Sequence, residues 1–212
     1  MPSKEYKIFN DFRIIINKFY GNYLERNHKI SFNYKKHLKD VINATSFPLE
    51  FNRSYVANYQ PVCRFLDDCL KKATSDTKEI SSIPSQISSY LHWQINTNYK
   101  GIYSDNFFQN ESFVEVIGPS GLLIHSKIRV GFLLLGEEVF YPSHNHEALE
   151  LYHIISGSSL WQIKEKKFTE KKPGDSSFHD IWVPHAMKTV GEPVLALFSW
   201  SGNINKEATP IT

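Results

Sequence analysis

The chain has 212 residues, with 24 basic and 22 acidic side chains, a formal net charge of +2 and 41% hydrophobic residues. That length supports one domain, or a small domain with an appendage, around a sizeable core. The balanced charge argues against a nucleic-acid partner, which usually meets a basic patch; with no apolar run of about eighteen residues and a charged start, Met1–Lys7, neither a membrane span nor a signal peptide is expected, and the expected location is cytoplasmic.

The first part of the chain has helical spacing. From Lys4 to about Glu25, Phe9, Phe12, Ile16, Phe19, Tyr20 and Tyr23 recur at three and four, which predicts an amphipathic helix in need of a partner surface. Lys35–Ala44, with Leu38, Val41 and Ile42, predicts a shorter helix, and Phe47-Pro48-Leu49 and Asn52-Arg53-Ser54 interrupt. Pro61 suits the first position of a third helix, because its fixed φ and missing N–H cost nothing there. Val62, Phe65, Leu66, Cys69 and Leu70 form its stripe and Thr74-Ser75-Asp76 its end. The two cysteines, Cys63 and Cys69, diverge by more than a right angle on that helix, so buried thiols are expected rather than a disulfide or a shared metal. Ser82–His92, begun or broken at Pro84, is the last predicted helix.

After about Trp93, β-branched and aromatic residues alternate instead. Asn96-Thr97-Asn98 reads as a linker, which divides the chain into a helical region, 1–95, and a β region, 96–212. Ser112–Ile117 reads as a strand, Gly118-Pro119-Ser120-Gly121 as a turn, and Lys127–Leu135 as a strand with Ile128, Val130, Phe132 and Leu134 on one face. Glu138–Ser143, Ser159–Lys164, Asp175–His179 and Val194–Trp200 continue the series, while Lys164-Glu165-Lys166-Lys167 and Lys171-Lys172 flank a solvated hairpin. Many short strands separated by turns predict a sandwich or barrel, and with the helices the fold class is α+β. The helices are expected to pack around one side of the barrel, covering its mouth or meeting a partner in a homodimer.

The chemistry concentrates in Tyr141-Pro142-Ser143-His144-Asn145-His146-Glu147-Ala148-Leu149-Glu150-Leu151-Tyr152. Side chains two apart on a strand leave on one face, so His144 pairs with His146 and Glu150 with Tyr152. Glu147-Ala148-Leu149 forms a short connection, Leu149–Ile155 a second strand, and Ser156-Gly157-Ser158 its turn. About forty residues later, the turn Lys172-Pro173-Gly174-Asp175 and the segment Ile181–His185 bring in a further imidazole. A carboxylate aimed into a barrel carries a heavy desolvation cost without a cation. His146, Glu150 and His185, with His144 left open as a further donor, are therefore expected to hold a divalent transition metal; imidazole with carboxylate suits zinc, iron, manganese or nickel. Tyr152, two residues after Glu150, brings its hydroxyl near that cation, which favours the phenolate and makes a base.

Gly136, then His144-x-His146-x3-Glu150-x6-Gly157, then Pro173-Gly174-Asp175 and His185, resembles the two motifs of the cupin superfamily, small double-stranded β-helix barrels with a metal in the mouth. The loop from Gly136 to His144 is longer than the common pattern, which leaves the ligands untouched. Within the cupins, the run from Tyr141 to Tyr152 and the later Trp182–Thr189 resemble the dimethylsulfoniopropionate lyases, over Phe107 to Gly202. That resemblance implies a carbon–sulfur lyase releasing dimethyl sulfide and acrylate from a sulfonium carboxylate by β-elimination, with Tyr152 as base and His144 lining the substrate site; in many other cupins the first histidine is a ligand.

Tyr141, Trp182, Phe132 and Trp161 read as barrel core or as an aromatic wall. Tyr141 and Trp182, adjacent to ligand positions, are expected to face the cationic end of the substrate, since a ring face attracts positive charge. His153 is expected to point outward, and His28, His37, His92, His125 and His179 belong to no constellation. Two other readings are an iron-dependent cupin dioxygenase and a non-catalytic cupin that binds a metabolite.

Overall fold

The computed structural model describes residues 4–211. Two helices lead, α1 (Lys4–Arg26) and α2 (Phe32–Ala44). A short strand β1 (Glu50–Phe51), a 3-10 turn at Pro61–Phe65, α3 (Leu66–Lys71) and α4 (Lys78–Ile87) follow. After α5 (Asp105–Asn110) come β2 (Glu111–Gly118), β3 (Leu123–Ile124), β4 (Ile128–Leu135), β5 (Phe140–Asn145) and β6 (Ala148–Ser156). The series closes with β7 (Ser159–Ile163), β8 (Thr169–Lys171), β9 (Ser176–His179), β10 (His185–Thr189), β11 (Val194–Gly202) and β12 (Thr209–Pro210). None of the helices in the described residues is long and apolar enough to cross a membrane.

The strands form two sheets, ordered β1-β3-β2-β4-β11-β6-β9 and β12-β5-β10-β7-β8, antiparallel except where β2 meets β3. The two sheets enclose a barrel interior, with helices added to one face of the larger sheet. Alternation along the larger sheet sorts its side chains into two cores. Val114, Val130, Phe132, Leu134, Leu151, Leu195 and Leu197 face the helices, packing with Phe9, Phe12, Ile16, Leu38 and Val41. Leu133, Leu135, Tyr152, Ile154, Ala196 and Phe198 face the barrel interior with Tyr141, Trp161 and Met187 of the smaller sheet. Phe132 thus belongs to the helix-facing core and Trp161 to the interior. A strand buried on both faces reads as nearly continuous apolar sequence, as Ile128–Leu135 does.

Several local expectations shift. The helix expected over Ser82–His92 starts at Lys78 and runs through Pro84 to Ile87, with a 3-10 turn at Ser88–Tyr90. Burial of Ile80, Ile83, Pro84 and Ile87 along one face outweighs the single backbone hydrogen bond that Pro84 lacks. The linker at 96–98 enters a 3-10 turn, Thr97–Tyr99, and α5 starts on the hydroxyl of Ser104, which accepts from the Phe107 N–H. Cys63 and Cys69 are free and buried.

The helices also brace the strands that carry the chemistry. His37 of α2 is fully buried, with Nδ1 2.8 Å from the Ser201 hydroxyl and Nε2 2.7 Å from that of Ser199, both on β11. Tyr34 stacks on Phe178 of β9 at 4.2 Å, and Asn33 donates to Asp180 at 2.9 Å, just before the β10 loop. His153 points away from the barrel interior as expected, yet is buried beneath α1, 4.7 Å from the Phe19 ring and 2.9 Å from Ser176 Oγ.

Burial pulls His37 down to about 4, and His153 likewise to about 4. In the unfolded chain both titrate near an ordinary pKa of about 6.5. Between those values the unfolded state binds more protons, so stability is full above about pH 6.5 and falls as the pH drops toward 4, by on the order of 3 kcal/mol per histidine. The urea midpoint should therefore fall between pH 7 and pH 4.5, and His37→Gln should narrow the difference. Equal midpoints in the parent at both pH values would contradict the assignment.

Candidate metal centre

The site forms where β5 hands over to β6. His144 and His146 bracket the end of β5, and β6 begins already at Ala148, so the connection is shorter than the three residues expected. Glu150 and Tyr152 then point inward from β6, and β10 opens on His185, opposite His144 in the ladder.

His146, Glu150 and His185 each offer a ligand atom, all within 4.8 Å of one another, and all three side chains are buried. Nε2 of His146 lies 2.9 Å and Nε2 of His185 3.2 Å from the same Glu150 oxygen, Oε2. The opposite ring nitrogens are engaged: Nδ1 of His146 is 3.0 Å from the Ala148 carbonyl and Nδ1 of His185 2.9 Å from the Val183 carbonyl. Carbonyls only accept, so each Nδ1 carries the proton, and a neutral imidazole then turns the Nε2 lone pair inward. At His185 that Nε2 is buried and makes no hydrogen bond despite its closeness to Glu150. Lone pairs converging on a carboxylate oxygen suit a cation between them, and imidazoles held by backbone carbonyls are the usual support of metal ligands. The residues present therefore fit a divalent metal.

Two side chains complete the carboxylate's surroundings, and neither was anticipated. His179 of β9 sits opposite Glu150 in the ladder, with Nδ1 3.2 Å from Glu150 Oε2, Nε2 3.0 Å from Ser177 Oγ and its ring stacked on His185 at 3.8 Å. Trp200 of β11, opposite Glu150 on the other side, donates its indole N–H to Glu150 Oε1 at 2.6 Å. Burial pushes the Glu150 carboxyl up, but the imidazoles of His146, His179 and His185 around it hold it well below the usual range. Burial, then the neighbouring His185, brings His179 down to about 3, so it is neutral.

The cavity has a volume of about 200 Å³, and Tyr141, His144, Glu150, Tyr152, Phe198 and Trp200 are among its walls. Burial, and next the Glu150 charge, raise Tyr152 well above the ordinary phenol value when no cation is present. Tyr141 stacks on His144 at 4.4 Å and donates to the Tyr99 hydroxyl at 3.2 Å. His144 engages the Pro142 carbonyl through Nδ1 at 2.9 Å and stands outside the converging trio. Trp182, expected in the aromatic wall, does not reach the cavity. Its backbone takes a left-handed φ of 57° and its N–H bonds the His146 carbonyl at 2.8 Å. That turns the ring outward, 45% exposed, beneath the Lys206 ammonium.

A model of the dimethylsulfoniopropionate lyase family matches residues 34–196. The chain is 29% identical over 96 residues to dimethylsulfoniopropionate lyase DddQ of Ruegeria pomeroyi, covering 45% of this chain and 47% of that protein. It is 27% identical over 94 residues to a putative dimethylsulfoniopropionate lyase, DddL, of Cereibacter sphaeroides, covering 43% and 39%. The matches therefore span about half or less of these curated relatives. The crystal structure of DddQ from Ruegeria pomeroyi superposes with a TM-score of 0.69 at 21% identity, covering 76% of this chain and 81% of that one. A structure described with the DMSP lyases RdDddP and RnDddQII gives 0.68 at 20% identity, covering 92% and 100%. These two show a shared fold. The family match takes in more than half of the chain and all three converging side chains, and on that ground the chain belongs to the dimethylsulfoniopropionate lyase family.

Proposed function

We propose that the protein cleaves dimethylsulfoniopropionate to dimethyl sulfide and acrylate, with His146, Glu150 and His185 holding a divalent transition metal and Tyr152 acting as base. The observation that carries this reading is the inward convergence of two imidazole Nε2 atoms and one carboxylate oxygen in a cavity that Tyr152 also lines. A divalent cation held there supplies a positive centre for the substrate carboxylate, acidifies the α-carbon and favours the ionised phenol.

The remaining work falls to the side chains. The Tyr152 phenolate oxygen takes the α-proton. The electron pair of that C–H bond becomes the new Cα=Cβ bond, and the Cβ–S bond breaks with its pair going to sulfur. Sulfur leaves uncharged, so the leaving group needs no acid. His144, fixed by the Pro142 carbonyl and stacked on Tyr141, orients the substrate against the base. His179 and Trp200 hold the Glu150 carboxylate in place.

The test is anaerobic headspace detection of dimethyl sulfide after dimethylsulfoniopropionate is added to purified protein, with and without a chelator. Chelator-sensitive release in the absence of oxygen is the expected result. Release that requires oxygen would point to a dioxygenase, and no release from metal-loaded protein would remove the lyase reading and leave a binding cupin.

A further inference from the structure

Glu111 is another carboxyl of the same cavity, and the mechanism above gives it no task. It opens β2, has no solvent exposure and lines the cavity wall. Neither of its oxygens has a hydrogen-bond partner, and among the described residues no basic side chain forms an ion pair with it. The other two buried acids of the cavity are matched: Glu150 by imidazoles and Trp200, and Glu115 by Arg129 at 3.4 Å and the Ser120 N–H at 2.7 Å. A buried carboxyl without a partner is costly as an anion, so such groups are paired or remain neutral. Among the described residues the arginine of the cavity, Arg129, pairs with Glu115 and forms no ion pair with Glu111.

We propose that Glu111 is the anionic half of a cation subsite in the cavity, recognising the onium end of the substrate. The identity of that onium as a sulfonium rests on the function proposed above. Two observations support the subsite besides the missing partner. Phe113, Tyr141, Phe198 and Trp200 line the same cavity, and carboxylate with ring faces is the combination that suits an onium group, which is cationic but offers no N–H donor. Tyr141 and Tyr152 line that cavity as well, so Glu111 shares with the base the space a bound molecule would fill. Burial pushes its carboxyl up to about 8, as fits a group whose counter-charge arrives with the ligand.

The pairing has a direction in time. The positive charge on sulfur fades as the Cβ–S bond breaks and is absent from both products, so the attraction favours bound substrate over transition state and products. Glu111 therefore acts in ground-state binding, and its loss should raise KM without lowering kcat.

Calorimetric titration of the metal-loaded protein with two isosteric carboxylates tests the subsite independently of turnover: 3-(trimethylammonio)propionate, with a cationic tail, and 4,4-dimethylpentanoate, with the same shape uncharged. The parent should prefer the cation by tenfold or more, and Glu111→Gln should remove the preference. Glu111→Leu, which deletes an unsatisfied buried group, should behave alike; thermal melts establish that both variants fold. A preference unchanged in either folded variant, or no preference in the parent, overturns the proposal. A Glu111-dependent preference in a protein that releases no dimethyl sulfide sustains the cation subsite while removing the lyase reading.

Discussion

Tyr152→Phe should keep its metal and lose turnover by roughly 10²–10⁴-fold, the span that a positioned general base contributes. The substitution removes one oxygen and leaves the ring, which packs between Trp161 at 4.9 Å and His179 at 5.8 Å. None of the three converging ligand atoms is altered, so bound metal measured by elemental analysis should stay at the parental level. The melt should fall only modestly, since the change removes one hydroxyl that bonds the Glu150 carboxylate and leaves the packed ring in place. Parental turnover in the folded variant would mean that another group takes the α-proton. Loss of metal together with activity would make the phenol a ligand or a support for one.

Local pattern made much of this site legible. His144, His146, Glu150 and Tyr152 lie within a dozen residues, and the period of a strand settles which of them share a face. His185 enters as a further imidazole some forty residues on, completing the set of imidazole and carboxylate donors. His179 and Trp200 escaped because their place depends on strand pairing: each stands opposite Glu150, but through ladders to β9 and β11 whose register no local period encodes. Alternation along Val194–Trp200 does put Ala196, Phe198 and Trp200 on one face, so the signal for Trp200 existed without a partner to attach it to.

The misplaced residue follows from the opposite error. Trp182 lies three positions before His185, and sequence proximity suggested spatial proximity, yet one left-handed residue redirects its side chain. In β4 the grouping of Ile128, Val130, Phe132 and Leu134 was legible, whereas its destination was not. Both faces of that strand are apolar because a helical layer covers the outside, and such a layer appears only once α1 and α2 have been docked. The short α5 was missed for a related reason: six residues are too few to show a helical period, although Ser104 already offered the capping hydroxyl.

Removing one converging imidazole should have the other large effect. His185→Ala should lose stoichiometric metal and essentially all turnover, because two of three protein ligands remain and the variant methyl group cannot reach Glu150. In the parent, metal binding to the folded state alone adds stability by mass action, about 4 kcal/mol when free metal exceeds its dissociation constant a thousandfold. Chelation should accordingly lower the parent's melting temperature, whereas His185→Ala should melt at the same temperature with chelator or with added metal. The comparison separates a metal centre from a hydrogen-bonded cluster of the same residues. A cluster without metal would leave the parent's melt indifferent to chelator, with Glu150 held by the side chains around it, among them His146, His179 and Trp200. The unsatisfied Nε2 of His185 argues for the first alternative, since a cluster kept for its hydrogen bonds would use that atom, and a ligand awaiting a cation leaves it bare.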